Sequence, residues 1–363
     1  MKKATFVLLT LVFLCSLLYG CSGESSVQSV DASGIKIAFI TGFGGLHDHS
    51  FNQDTYLGVE TFAMESNAAC KYFMPESPER KDLIAAIEAA VSEDYDVIVT
   101  AGDIFAQPCL EAARKHPRTL FLALAVTPED MGVSQAPANI AMLTYKEEQA
   151  GFLAGYAAVA DSYQKLGFLG GDANEAVIRF GYGFIQGADK AAKDLGVSDV
   201  QMKYWYSGTF LPCEEIEDRM EDWYQEGTQL IFSCGGAIYK SALQAADAQN
   251  GLLIGVDIDQ SYLSPRFITS AVKSLKKTVI MALSAAVRND MTWPGIYAGN
   301  CRSLGINEEC VGLAMENSHF RSFNQEMYDV LYKAILRGSY TVSGNCDPDI
   351  KPDTQYITVQ WEN

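Results

Sequence analysis

Basic residues are scarce in this sequence of 363 residues. Its 27 Lys and Arg face 45 Asp and Glu, so the formal net charge is -18 at pH 7. A nucleic acid backbone would be repelled by a field of this sign, because phosphate binding depends on clustered Lys and Arg. We therefore expect no nucleic acid partner. The charge does not identify a small ligand.

The sequence also lacks the common motifs for cofactors and metals. The glycine-rich stretch 41–53, TGFGGLHDHSFNQ, has neither the GxGxxG spacing of dinucleotide-binding folds nor the Gly-Lys-Ser/Thr of a P-loop. No CxxC or Cys/His spacing suggests zinc, and the triplet His47-Asp48-His49 has no evident third ligand. We expect neither a cofactor nor a metal site.

The N-terminus carries an apolar run that is too short for a membrane-spanning helix, which needs about 20 apolar residues. Lys2 and Lys3 precede the run at 4–19, which is typical of a secretory signal peptide. The run ends in Leu18-Tyr19-Gly20-Cys21, which resembles the lipobox of bacterial lipoproteins. We expect a signal peptide at 1–20, acylation of Cys21 and a polar tether at 21–34. An ordinary signal peptide next to an unmodified Cys21 is the alternative.

Seven cysteines remain beyond Cys21, an odd number that cannot pair completely. Export permits disulfides. Cys301 and Cys310 bracket a loop short enough to close, so a bridge between them is one prediction. Buried free thiols are the alternative.

From Gly34 onward, short apolar or β-branched runs alternate with amphipathic helical stretches. This alternation predicts an α/β protein with parallel sheets flanked by helices, and some 330 residues suit two lobes. Beyond Trp293 the sequence predicts a hairpin, one helix and an edge strand. Ligands of such sheets bind beyond the carboxyl ends of the strands, so two facing edges would form a cleft.

Five segments, in order, resemble the basic membrane protein (BMP) family of lipoproteins, the substrate-binding subunits that include bacterial purine-nucleoside receptors. The resemblance covers roughly 34–288 and, more loosely, the tail. The segments are DHSFNQ at 48–53, LTYKEEQAGFLAGYAA at 143–158, KLGFLGG at 165–171 with RFGYGF at 179–184, IGVDIDQ at 254–260 and TSAVK at 269–273.

The resemblance implies a type I periplasmic-binding-protein fold, in which two Rossmann-like lobes close around a ligand. With it we expect lobe 1 to comprise 35–142 plus about 274–292, and lobe 2 to comprise 143–273 plus about 293–363.

The resemblance also implies which residues hold the ligand. Phe51 and Phe180 match the family's pair of stacking aromatic residues, with Phe184 as a second choice that is better explained as a core residue. Asp257 can accept hydrogen bonds from ribose hydroxyls, and Lys273 can donate to ribose oxygens and neutralise that carboxylate. Further polar contacts are expected from Asp48, Asn52 and the backbone at Gly235 and Gly236.

Two positions depart from the nucleoside receptors. Gly42 and Ala125 stand where the family often has aspartates that face the ligand. Asp103 or His47 are candidates to compensate for them. Without these two carboxylate acceptors, the protein should recognise a different edge of the ligand's ring, because each unpaired buried polar group costs about 1 to 3 kcal/mol. A sugar-like ligand therefore stays open beside a purine nucleoside.

The sequence thus predicts a monomeric, lipid-anchored receptor on the outer face of the cell membrane that delivers a nucleoside to an ABC permease. A sensory surface lipoprotein of the same fold is a second hypothesis. A nucleoside hydrolase is a third, less favoured because the first-strand region holds only Asp48 and Asp54 and no Asp-rich run. We expect no enzymatic activity.

Overall fold

The computed structural model describes residues 30–42 and 45–362. The predicted signal peptide and the predicted acylation site Cys21 lie outside the described residues. None of the helices in the described part of the chain is both long and apolar enough to cross a membrane.

Strands and helices alternate along almost the whole described chain. The strands are β1 (Lys36–Ile40), β2 (Ala69–Phe73), β3 (Val97–Ala101), β4 (Leu120–Leu124), β5 (Ile140–Tyr145), β6 (Lys165–Gly170), β7 (Val200–Tyr206), β8 (Leu230–Cys234), β9 (Leu252–Asp257), β10 (Phe267–Lys273), β11 (Cys301–Leu304), β12 (Val311–Leu313) and β13 (Ile357–Trp361). The helices are α1 (Phe51–Ser66), α2 (Arg80–Ser92), α3 (Ala106–Lys115), α4 (Glu147–Ala160), α5 (Glu175–Leu195), α6 (Glu214–Gln225), α7 (Tyr239–Gln249), α8 (Leu275–Arg288) and α9 (Gln325–Leu336).

Two sheets form the cores of two lobes. The first sheet has the order β11-β5-β4-β3-β1-β2 and the second has the order β12-β10-β9-β8-β6-β7-β13. The order β2-β1-β3-β4-β5 in the first recurs as β7-β6-β8-β9-β10 in the second, and all these neighbours pair in parallel. The predicted α/β architecture with two parallel sheets is confirmed.

The chain passes between the lobes three times. It leaves the first sheet after β5 and enters the second lobe through α4, which packs closely on α5. It returns after β10 through α8, which packs on α1, and then forms β11. It crosses again to β12, which pairs antiparallel with β10. Several crossing segments and repeated strand order are typical of the type I periplasmic-binding fold.

The tail differs from the sequence prediction in two ways. β11 pairs with β5 in the first sheet, so assigning all of 293–363 to the second lobe is wrong for this strand. The predicted hairpin is also wrong, because β11 and β12 lie in different sheets. Both strands were recognisable from sequence, but their partners are more than 30 residues away and left no local signal.

The predicted bridge between Cys301 and Cys310 is also wrong, since both are free thiols. Cys301 begins β11, whereas the Cys310 N–H donates to the carbonyl of Gly305 at 3.0 Å. The extended chain takes four residue steps from Cys301 to Gly305, which places their Cα atoms roughly 13 Å apart. Bridged cysteines need Cα atoms within about 7 Å.

Close contact between α4 and α5 sets the geometry of the second lobe. An added Cβ at Gly151 or Gly155 would lie 2.1 or 2.0 Å from the carbonyl oxygen of Phe180 or Phe184. Gly183 and Gly187 play the same part in α5, facing Glu148 and Phe152. The glycines therefore let the two backbones touch, which brings the start of α4 beside the first turns of α5.

Candidate functional site

The turn at 48–53 leads into α1 at the edge of the first sheet. The buried carboxylate of Asp48 accepts hydrogen bonds from the backbone N–H groups of Ser50, Asn52 and Gln53 at 3.0, 2.9 and 3.1 Å. These bonds satisfy donors that the first helical turn would otherwise leave free. Burial raises the pKa of Asp48, while the hydrogen bonds oppose that rise. Asp48 therefore fixes the position of Phe51, the first residue of α1.

Asn52 is also engaged within the first lobe. Its Nδ2 donates to Asp48 Oδ2 at 2.9 Å, and its Oδ1 accepts from the Gly42 N–H at 2.8 Å. An added Cβ at Gly42 would lie 3.2 Å from Asn52 Oδ1. The Asn52 amide thus lies where a side chain at position 42 would begin. Asp103 and His47 are both exposed, and their predicted compensating role stays a prediction.

The ends of β9 and β10 place an ion pair in the second lobe. Asp257 lies beside Val272 in the strand register, so the next residue, Lys273, reaches its carboxylate with an Nζ–Oδ1 distance of 3.0 Å. The two residues are only 4% and 6% exposed. Burial lowers the pKa of Lys273, but the carboxylates of Asp257 and Glu147 outweigh it, so the pKa is raised. Lys273 therefore stays charged.

Two aromatic rings from opposite lobes meet this ammonium group. Lys273 Nζ lies 4.7 Å from the ring centroid of Phe51 and 5.2 Å from that of Phe180. Phe51 is half-buried, whereas Phe180 is 1% exposed and packs edge-on against Phe232. The structure thus brings four of the predicted residues together. Phe184 is fully buried in the core of the second lobe.

Sequence reasoning missed two charged residues of this region, Glu147 and Arg179. Glu147 Oε1 lies 3.6 Å from Lys273 Nζ, and Glu147 Oε2 lies 3.7 Å from an Arg179 Nη atom. Glu147 is 1% exposed. We call Glu147, Arg179, Asp257 and Lys273 the buried-charge cluster. For Glu147, the available signal was an acidic residue two positions after an apolar strand, at the point where the chain changes lobe.

The 48–53 turn also holds the two lobes together. The Ser50 hydroxyl donates to Asp257 Oδ2. His49 Nδ1 lies 2.8 Å from the Tyr262 hydroxyl, and the His49 carbonyl accepts from Gln260 Nε2 at 2.9 Å. These contacts connect the turn that carries Phe51 with the loop that follows Asp257.

Gly235 lies at the end of β8 with a left-handed φ of 139°. An added Cβ there would lie 2.9 Å from the ring of Phe210, and the same ring lies over Gly171. Gly235 therefore makes room for an aromatic ring at the edge of the second sheet, while its backbone contact with a ligand stays a prediction. In the described part of the chain, no three His, Cys, Asp or Glu side chains are grouped to hold a metal ion.

Comparison with known families gives one model that covers most of the chain. Residues 35–339 match the family described as "ABC transporter substrate-binding protein PnrA-like". A lipoprotein of Pyrococcus abyssi is 27% identical over 83% of this chain and 74% of its own length. Basic membrane protein B of Borreliella afzelii is 26% identical over 88% of this chain and 97% of its own. The Lactococcus lactis protein named ABC transporter nucleoside-binding protein BmpA is 25% identical over 90% of this chain and 95% of its own length.

Solved structures show the same fold. An ABC transporter solute-binding protein of Aeropyrum pernix superposes with a TM-score of 0.72 at 21% identity, covering 87% of this chain and 95% of its own. A solute-binding protein of Conexibacter woesei superposes with a TM-score of 0.68 at 20% identity, covering 85% and 99%. These similarities confirm the two-lobed type I periplasmic-binding-protein fold.

Proposed function

Because the chain belongs to the PnrA-like family of ABC transporter substrate-binding proteins, we propose that it captures a nucleoside between its two lobes and favours a purine nucleoside. Proteins of this family bind substrates for transport and are not enzymes. The observation that carries the proposal is the meeting of Phe51 and Phe180, from opposite lobes, at the Asp257–Lys273 ion pair.

The aromatic pair suits the base. A flat heterocycle stacks on aromatic side chains with about 1 to 3 kcal/mol per base. Phe51 is carried by the first lobe and Phe180 by the second, so stacking on both rings would couple ligand binding to closure of the lobes. The relative from Lactococcus lactis is named a nucleoside-binding protein, which supports this choice of ligand.

The ion pair suits the sugar. Asp257 can accept hydrogen bonds from two neighbouring hydroxyls, and the Lys273 ammonium can donate to ribose oxygens. Asp257 Oδ1 is buried and has no hydrogen bond of good geometry, so it retains a capacity to accept. A hydroxyl-rich ligand would use that capacity. A sugar-like ligand remains the alternative, because Gly42 and Ala125 provide no carboxylate for a base.

The proposed location is the outer face of the cell membrane, with Cys21 acylated. Relatives are named lipoproteins, which supports the anchor. A polar tether behind a lipid anchor would keep the receptor near the permease and raise its effective concentration there. Globomycin, which blocks lipoprotein signal peptidase, should cause accumulation of the precursor, and Cys21→Ala should release the protein from the membrane.

The ligand is tested most simply by thermal unfolding with a panel of purine nucleosides, pyrimidine nucleosides and sugars. A ligand at 100 times its Kd stabilises the folded state by about 2.7 kcal/mol. We expect a clear rise in Tm with at least one nucleoside and no release of free base on incubation. Flat curves across the nucleosides, or a shift with sugars alone, would contradict the proposal.

A further inference from the structure

Glu147 is a buried acid that the proposed ligand contacts do not use. It is the first residue of α4, directly after the chain has left the first sheet. The Oε2 atom has no hydrogen-bond partner, and the nearest cation, Arg179, is 3.7 Å away. A buried carboxylate normally accepts several hydrogen bonds, so local folding does not explain why this one is present.

The nearest partners of Glu147 are the two cations of the buried-charge cluster. Its two oxygens face Lys273 at 3.6 Å and Arg179 at 3.7 Å. Burial raises the pKa of Glu147 above its ordinary value, and Lys273 and Arg179 offset part of that rise. Two cations within 4 Å stabilise the ionised form. The Glu147 carboxylate in turn is a second acidic partner of the Lys273 ammonium group, beside Asp257.

The four members of the cluster carry no net formal charge, because two carboxylates face two cations, and the partly exposed Glu175 pairs with Arg179 from outside the cluster. An anionic group that entered beside Lys273 would find no unpaired cation and would add a buried negative charge. Buried unpaired charge is strongly unfavourable, and such an unfavourable element is one way in which binding sites reject related ligands. An uncharged ligand meets no such penalty.

We propose that Glu147, paired with Arg179, is a specificity-determining residue that keeps anionic ligands out of the cleft by balancing the positive charge beside Lys273. This inference rests on the proposed function. It predicts that the protein distinguishes a nucleoside from its own 5′-monophosphate, and that this discrimination depends on the charge of Glu147.

The test compares the affinities of wild type and Glu147→Gln for a purine nucleoside and its 5′-monophosphate by titration calorimetry. Wild type should bind the nucleoside at least 100-fold more tightly than the monophosphate. Glu147→Gln should lower this ratio at least tenfold. Glu175→Gln is the matched control, because Glu175 also pairs with Arg179 but is 41% exposed. Its ratio should stay within threefold of wild type.

A double variant separates charge balance from damage to the fold. Glu147→Gln with Arg179→Gln removes one charge of each sign, so the ratio should return to within threefold of wild type. If Glu147→Gln alone does not fold, the double variant is compared with Arg179→Gln, from which it differs only by loss of the Glu147 carboxylate. The affinity ratio of nucleoside to monophosphate should then be tenfold lower in the double variant than in Arg179→Gln.

The result that overturns the inference is a ratio that differs by less than threefold between Glu147→Gln and wild type, or one that changes as much in Glu175→Gln as in Glu147→Gln. A wild-type protein that binds neither compound overturns the proposed function instead.

Discussion

The two sides of the cleft are constructed differently. On the first-lobe side, one turn of six residues, 48–53, holds Phe51 through hydrogen bonds between neighbours in the sequence. On the second-lobe side, Glu147, Arg179, Asp257 and Lys273 come from four separate elements and meet as paired charges, of which Arg179 is 18% exposed and the other three are buried. The first side depends on local sequence and the second on the packing of the whole lobe. Substitutions should therefore affect ligand binding on one side and folding on the other.

The two residues proposed to stack on the base, Phe51 and Phe180, give the largest expected contrast. Phe180 is 1% exposed, so Phe180→Ala should lower the free energy of unfolding by about 3 to 5 kcal/mol. Phe51 is half-buried at the start of α1, so Phe51→Ala should lower it by about 1 kcal/mol. Urea unfolding measures both. Equal losses of unfolding free energy in Phe180→Ala and Phe51→Ala would contradict the proposed difference between the two sides of the cleft.

The charged side should also make stability depend on pH. Burial raises the pKa of Glu148, beside Glu147, to about 7 from an ordinary value of 4.5. The folded state then keeps a proton that the unfolded state loses, so stability from this group is fully present below pH 4.5 and is lost as the pH rises to 7. The loss is up to about 3 kcal/mol. Glu148→Gln should remove this decline between pH 5 and 7.5. A variant that follows the wild-type curve would contradict the assignment.

The contact between α4 and α5 underlies the second-lobe side. An Ala side chain at Gly155 would place its Cβ 2.0 Å from the Phe184 carbonyl oxygen, which can move only with the helix. Gly155→Ala should therefore destabilise by about 2 to 3 kcal/mol. The control is Gly295→Ala, where an added Cβ meets nothing within 4 Å. Similar unfolding midpoints for the two variants would argue against close helix contact.

The smallest expected effect on stability belongs to the first-lobe turn. Asp48→Ala removes the acceptor for three backbone N–H groups and should cost about 1 to 2 kcal/mol. Because the same bonds orient Phe51, affinity for the ligand should fall at least fivefold in the folded protein. Unfolding and titration on one preparation measure both. An unchanged affinity would mean that the turn does not position the ring.

This contrast also explains how much could be predicted from sequence. The alternation of strands and helices, and the capping of α1 by the 48–53 turn, follow from local patterns. Phe51 and Phe180 were proposed through family resemblance, and the structure places them together. Glu147 and Arg179 were missed because their partners lie up to 126 residues away, between Glu147 and Lys273. The pairing of β11 and the state of Cys301 were mispredicted for the same reason, since both depend on the partner sheet.

The central claim, that a nucleoside binds between Phe51 and Phe180, is tested most directly by titration calorimetry of wild type and Phe51→Ala with purine nucleosides. Wild type should bind one nucleoside per chain, and loss of a stacking face worth about 1 to 3 kcal/mol should weaken binding by roughly 5- to 150-fold. Thermal unfolding of the same samples confirms that the variant is folded. Absence of binding to every nucleoside, or equal affinity for the folded variant, would contradict the claim.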